Sequence, residues 1–178
     1  GTIIAAGGPN GGNGGYVETS GHTLNLAPNI VVRPGKGGTW LLDPGSDLSA
    51  ADSTVDFSQA ATYISTLNTG ANVVDLVNGD ITINSSIVAD GNGNNGVSGN
   101  LSFQASGHIT VNNANIQLAG GNLYLGGYNG GATAATGSTS GDVGITLTNT
   151  TLSTTGSGTI TVIGTGYIPT DYSANNPG

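Results

Sequence analysis

The segment GNLSFQASGHITVNNANIQLAGGNLYLGG, residues 99–127, carries four short runs in which apolar and polar side chains alternate. Leu101 and Phe103, Ile109 and Val111, Ile116 and Leu118, and Leu123 and Leu125 each stand two residues apart. A β-strand turns alternate side chains to opposite faces, so each pair shares one face of a half-buried strand. The runs end at or near Gly or Asn, where a positive φ carries little steric penalty. Two of them open alike, with Gly-Asn-Leu and a second apolar residue two places on.

The same design extends in both directions. DITINSSIV (80–88) sets Ile81 and Ile83 against Thr82 and Asn84, and GITLTNTTLSTTGSGTITVIG (144–164) sets out Ile145 with Leu147 and Ile160 with Val162. The runs recur at roughly 20-residue intervals, a period typical of solenoids. In a parallel β-helix each coil contributes two or three short strands, each paired with its equivalent about 4.8 Å above and below. Stacking puts like side chains over like, so charged ladders repel while Asn ladders hydrogen-bond along the stack. The expected fold is therefore all-β, a parallel β-helix, with 1–178 a single solenoid segment and its regular coils over 79–166. A β-sandwich also needs many short strands, but its water-facing sheets would normally carry more charge than this chain has.

One segment departs from the pattern. DFSQAATYISTLNTG (56–70) places Ala60, Ile64 and Leu67 at helical spacing, with Gly70 positioned to end the run. This predicts one short helix near residues 58–68, beginning near Ser58. GGPNGGNGG (7–15) and ANNPG (174–178) read as loops or linkers.

The composition fits a stacked fold. Of 178 residues 33 are glycine and only 7% are charged, against about 25% in an ordinary globular domain. Arg33 and Lys36 are the sole Lys or Arg residues, and the formal net charge is −8. Phosphate backbones and anionic membrane surfaces need clustered cations, so nucleic acid is not an expected partner. No apolar run is long enough for a spanning helix. There is no cysteine, which removes disulfides and thiolate chemistry. The chain opens on Gly1 rather than Met, and is expected to be processed or excerpted.

Two stretches carry a family resemblance: GGYVETSGHTLNL (14–26) and GKGGTWLLDP (35–44). Gly14 to Gly21 followed by Gly38 to Pro44 resembles a marker, spanning 11–44 here, found in bacterial two-partner secretion exoproteins of the filamentous haemagglutinin and high-molecular-weight adhesin type. The next stretch, DFSQAATYISTLNTGANVVDLVNGDITIN (56–84), is similar to the segment that comes after the marker in that family, a short helix leading back into β coils. The resemblance implies a right-handed parallel β-helix that is secreted or held at the bacterial cell surface. It also implies a role as adhesin, biofilm component or shaft. The chain is far shorter than such exoproteins, and the family's amino-terminal secretion domain is not recognisable. It is expected to be a fragment, or a small relative that works by assembling. GTIIAA (1–6) offers no charged or helical cap, so the expected partners are neighbouring coils or further copies stacked end to end. Host or matrix glycans are the other expected partner.

Several residues could be taken for a site. Glu18, Ser20 and His22 would share one strand face, yet no nucleophile elbow or oxyanion site accompanies them, and a polar strand face is the reading adopted. His108 stands alone before a strand. Asp43, Asp47, Asp52 and Asp56 gather around LLDP and the helix start. They are weak candidates for calcium, which favours oxygen ligands on flexible loops, but fit turn and helix-cap roles better. Asp90, Asn92 and Asn94 begin like an EF-hand loop, but the glycine falls one place late and Leu101 replaces the closing Glu. PGKGGT (34–39) lacks the phosphate-loop pattern and reads as a turn. Trp40 is expected to pack where the coil changes direction. Tyr124 and Tyr128 could offer sugar-stacking faces, and Asn84, Asn100 and Asn149 lie in glycosylation sequons.

No catalytic residue, cofactor or metal is therefore assigned. The functional expectation is a non-catalytic extracellular solenoid serving as an adhesin shaft or filament component. The alternative is a β-helix that binds or cleaves polysaccharide.

Overall fold

The computed structural model describes residues 1–21, 24, 26, 30–44, 52–127, 135–136 and 144–166. In chain order these form β1 (Thr2–Ile4), β2 (Tyr16–Gly21), β3 (Val31–Arg33), β4 (Thr39–Pro44) and β5 (Ser53–Val55). A helix, α1 (Phe57–Leu67), comes next. It is followed by β6 (Asn72–Val77), β7 (Ile81–Ile83), β8 (Ile87–Ala89), β9 (Leu101–Ala105), β10 (Ile109–Asn112) and β11 (Ile116–Leu118). The remainder are β12 (Leu123–Gly126), β13 (Ala135–Thr136), β14 (Ile145–Thr148), β15 (Leu152–Thr154), β16 (Ile160–Val162) and β17 (Gly164–Thr165).

All pairings between these strands are parallel. They build sheets ordered β2-β4-β6-β9-β12-β16, β5-β7-β10-β14 and β8-β11-β15, with β1-β3 and β13-β17 as two-stranded pairs. The chain visits the three larger sheets in rotation, as β6, β7, β8 and then β9, β10, β11. The result is a parallel β-helix with three faces to a coil.

The alternation read from the sequence is the inside–outside alternation of the coil. One inward column runs Val17, Trp40, Val73, Leu101, Leu123, Ile160, and the next runs Thr19, Leu42, Asp75, Phe103, Leu125, Val162. From Trp40 to Leu125 these side chains are buried. Each fully buried aliphatic residue contributes about 1.5–3 kcal/mol, so three inward faces per coil supply a continuous core without a second layer.

Polar ladders flank that core. Asn72 Oδ1 accepts the Asn100 amide at 3.0 Å, Asn100 Oδ1 the Asn122 amide at 2.8 Å, and Asn122 Oδ1 the Thr159 amide at 2.9 Å. Before the β7 face, Asp52 accepts the Asp80 amide and Asp80 the His108 amide. Before the β8 face, Ser86 accepts from Asn115 and Asn115 from Thr151. These bonds satisfy backbone amides at the corners, where the strand ladder lapses. They also show that the coils are unequal, since successive ladder positions are separated by 28, 22 and 37 residues. The spacing of roughly 20 residues expected from the sequence is thus both too short and too even, because turns absorb residues that the stacked strands do not.

The helix occupies a strand's place. It lies between β3 and β8, on the face that β11 and β15 continue. It spans Phe57–Leu67 rather than 58–68, because Asp56 caps it: Oδ1 accepts from the Ser58 and Gln59 amides while Gln59 Oε1 accepts from Asp56 N. That reciprocal capping box fixes the start one residue earlier than Ser58 would. Ala60 and Leu67 point inward as expected, but Ile64 is only partly buried and Tyr63 carries the contact. The Tyr63 ring meets Trp40 edge-on at 5.7 Å and Phe103 at 6.2 Å. Thr66 donates to the Val32 carbonyl of β3 at 2.7 Å, which supplies a bond that a neighbouring strand would have made.

Candidate functional site

The inward columns end on exposed side chains among the described residues. In the last described coil, Leu147 sits in register with Val111, Ile160 with Leu123 and Val162 with Leu125. Their partners are wholly or almost wholly buried, yet Leu147, Ile160 and Val162 are 44%, 40% and 43% exposed. A shallow cavity of about 370 Å³ opens there, lined by residues that include Ile145, Leu147, Val162 and Gly164. Among the described residues, strands β14, β15 and β16 each have a neighbour on one side only. Edge strands are normally blunted by charge or proline, but ITLT, LST and ITV contain neither. At the other end, Ile3 and Ile4 of β1 are exposed as well. This arrangement can accept another coil by main-chain pairing and apolar stacking.

On β2, Glu18 and Ser20 are exposed on the outer face, and Val17 points inward. Ser20 stands in register with Asp43 of β4, and His22 lies outside the described residues. Burial and then the Glu18 charge push the Asp43 carboxyl up from its ordinary range. Burial, then Glu18 and Asp43, push the Tyr16 hydroxyl up. The group is a cluster of mutually repelling acids with a tyrosine. Trp40 is not at a corner, as expected from sequence, but within β4 and fully buried. Its Nε1–H donates to Thr19 Oγ1 at 3.0 Å, so the inward Thr19 of β2 exists to satisfy a buried indole.

The remaining candidates are accounted for by local structure. Asp52 and Asp56 serve the ladder and the helix cap, and Asp47 lies outside the described residues. No group of three His, Cys, Asp or Glu is arranged to hold a metal among the described residues. Asp90 Oδ1 accepts from Asn92 N, and Asn94 Nδ2 donates to the Val97 carbonyl. The loop also docks on the helix end, where Gly91 N donates to Asn68 Oδ1. In PGKGGT, Gly35 and Gly37 take φ of +89° and +70°, as a tight turn requires. Tyr124 donates its hydroxyl to the Gly127 carbonyl, and Tyr128 lies outside the described residues. Of the sequon residues, Asn84 is exposed, Asn100 serves the ladder, and Asn149 Nδ2 donates to Asn113 Oδ1. Asn113 and Asn149 both take positive φ, so two left-handed turns lie one above the other.

Two features escaped the sequence. Asp75 occupies an inward position of β6 and is buried between Leu42 and Phe103 in register. Its signal was present: Val73, Asp75 and Val77 alternate as one inward face, so the acid stands where only apolar residues are expected. The second is a groove of about 340 Å³ beside α1, lined by residues including Ile30, Phe57, Ser58, Ala61 and Ser65. Phe57 is 82% exposed there.

Comparison of the chain with protein-family models, with curated proteins and with solved structures returns no match. Among the described residues no helix is long and apolar enough to cross a membrane.

Proposed function

We propose that the chain is a non-catalytic extracellular β-solenoid, acting as an adhesin shaft or as a component of a surface fibre. The observation that carries this reading is the last described coil, where Leu147, Ile160 and Val162 continue buried columns with side chains 40–44% exposed and without a charge to discourage pairing. Such an end is complementary to another coil of the same kind, from the same chain or a further copy. The resemblance of residues 11–84 to two-partner secretion exoproteins supports a secreted or surface location and a role in attachment or biofilm. The test is attachment: beads coated with the protein should be retained by host cells or matrix, or should cluster through one another, with no reducing ends released from polysaccharides. Robust polysaccharide turnover would overturn the reading.

A polysaccharide-binding role is the second reading, favoured by the groove beside α1. An exposed aromatic ring next to the hydroxyls of Ser58 and Ser65, without charge in the lining, suits an uncharged sugar ring. Glycan-array binding lost in Phe57→Ala would support it, and unchanged binding would remove this groove from consideration.

A further inference from the structure

Asp75 is the one acidic side chain among the described residues that is buried in the core. Its Oδ2 accepts two hydrogen bonds, from Tyr63 Oη on α1 at 3.0 Å and from Ser53 Oγ on β5 at 3.3 Å. Its Oδ1 is buried and has no hydrogen-bond partner among the described residues. Ionised, this carboxylate would hold a charge in an apolar column with one oxygen unsolvated, which is the costlier of its two states.

The surroundings offer no compensation. Tyr63 is the titratable group that α1 turns toward Asp75, and β5 contributes the uncharged Ser53. In register, β4 contributes Leu42 and β9 contributes Phe103, while β6 itself flanks the acid with Val73 and Val77. Arg33 and Lys36 are both exposed.

We propose that Asp75 is a proton-operated latch, which in its neutral form holds α1 in the strand position between β3 and β8 and on ionising loosens it. The helix is the element most open to such control. It makes no strand ladder with its neighbours, and its inward anchor Tyr63 is the residue that bonds Asp75 and packs on Trp40 and Phe103.

Burial pushes the Asp75 carboxyl up to about 6, with the Tyr63 and Ser53 hydrogen bonds pulling the other way. The folded value is raised above the ordinary 3.8, so between those values the native state binds more protons than the opened chain. Stability is then greatest below the ordinary value, falls as pH rises through the window, and levels off above about 6. A separation of that size changes the opening equilibrium by about a hundredfold.

The experiment is hydrogen exchange of the α1 amides at pH 4 and pH 7.5, corrected for intrinsic rates, beside a carbon NMR titration of the Asp75 carboxyl. The opening constant of α1 should be on the order of fiftyfold larger at the higher pH, since the opened acid is already more than half ionised at pH 4. Asp75→Asn, which keeps the acceptor for Tyr63 and Ser53 without the charge, should abolish that difference and stay protected at both. Tyr63→Phe, which removes a bond that favours the charged form, should move the midpoint upward. A wild-type helix with equal protection at both pH values, or an Asp75→Asn helix with the wild-type dependence, would overturn the proposal. Should Asp75→Asn fail to fold, wild-type exchange and the carboxyl titration decide together: α1 exchange that rises with the ionisation of Asp75 upholds the latch, and exchange independent of it, or an Asp75 midpoint near 4, refutes it.

Discussion

Asn100 Oδ1 accepts the backbone amide of Asn122, one coil on, at 2.8 Å, and Asn122 in turn accepts from both the amide and the hydroxyl of Thr159. A short neutral acceptor at this place in three successive coils, Asn72, Asn100 and Asn122, joins coil to coil without repeating a charge. Asn100→Ala should therefore cost about 0.5–1.5 kcal/mol, the net value of a hydrogen bond. Asn122→Ala should cost at least as much, having two donors to lose. Urea unfolding monitored through Trp40 fluorescence measures both.

Beside the asparagines runs a column with almost no side chains. A Cβ on Gly99 would run into the Ala71 carbonyl oxygen, and one on Gly121 into the carbonyl oxygen of Gly99. Neither position needs a positive φ; the requirement is close approach of one coil to the next. Gly121→Ala should force the coils apart and cost on the order of 1–3 kcal/mol, as overpacking does. A denaturation midpoint unchanged from wild type would contradict this.

Thr19 and Trp40 give a sharper test, because the expected effect runs against hydrophobicity. Thr19→Val adds an apolar methyl to an inward position, yet leaves the buried Trp40 Nε1–H without its acceptor. The loss should be about 1–3 kcal/mol, the cost of a buried unsatisfied donor. Stabilisation by the same substitution would show that the indole has another acceptor.

On the outer face, Glu18 raises both Asp43 and Tyr16. Glu18→Gln should bring the Asp43 midpoint down toward the ordinary carboxylate range. The change should be larger at low ionic strength than at high, since exposed charges are screened by salt. NMR titration of the Asp43 carboxyl reads the result directly.

Much of this architecture was legible in the residues. Pairs such as Leu101 with Phe103 and Leu123 with Leu125 revealed the strands, and their shared Gly-Asn-Leu opening revealed which strands stack. Low charge pointed to ladders of neutral side chains. The helix was visible in Ala60 and Leu67 and a cap role in Asp56, although the start falls one residue before Ser58 because Gln59 reaches back to Asp56 in a capping box. Coil length was not legible, because turns of any size can be inserted between strands that still stack in register. Asp75 was overlooked for the opposite reason: a lone acid in an apolar run resembles a surface residue until the inward parity of Val73 and Val77 is counted. An uncapped end was legible at GTIIAA, but not at β16, since Ile160 and Val162 look like any other inward pair until their exposure is known.

The proposed shaft or fibre role requires that the stack of coils be continued by further coils at its exposed end. Cryo-electron microscopy of the protein as it occurs outside its native cells distinguishes this from a free-standing stack. Rods or filaments longer than this chain alone could form are expected, with an axial repeat of about 4.8 Å running through the stacked strands β6, β9, β12 and β16 and across Ile160 and Val162 into the next coil. Compact particles in which another element covers Leu147, Ile160 and Val162, with no axial repeat beyond them, would contradict it.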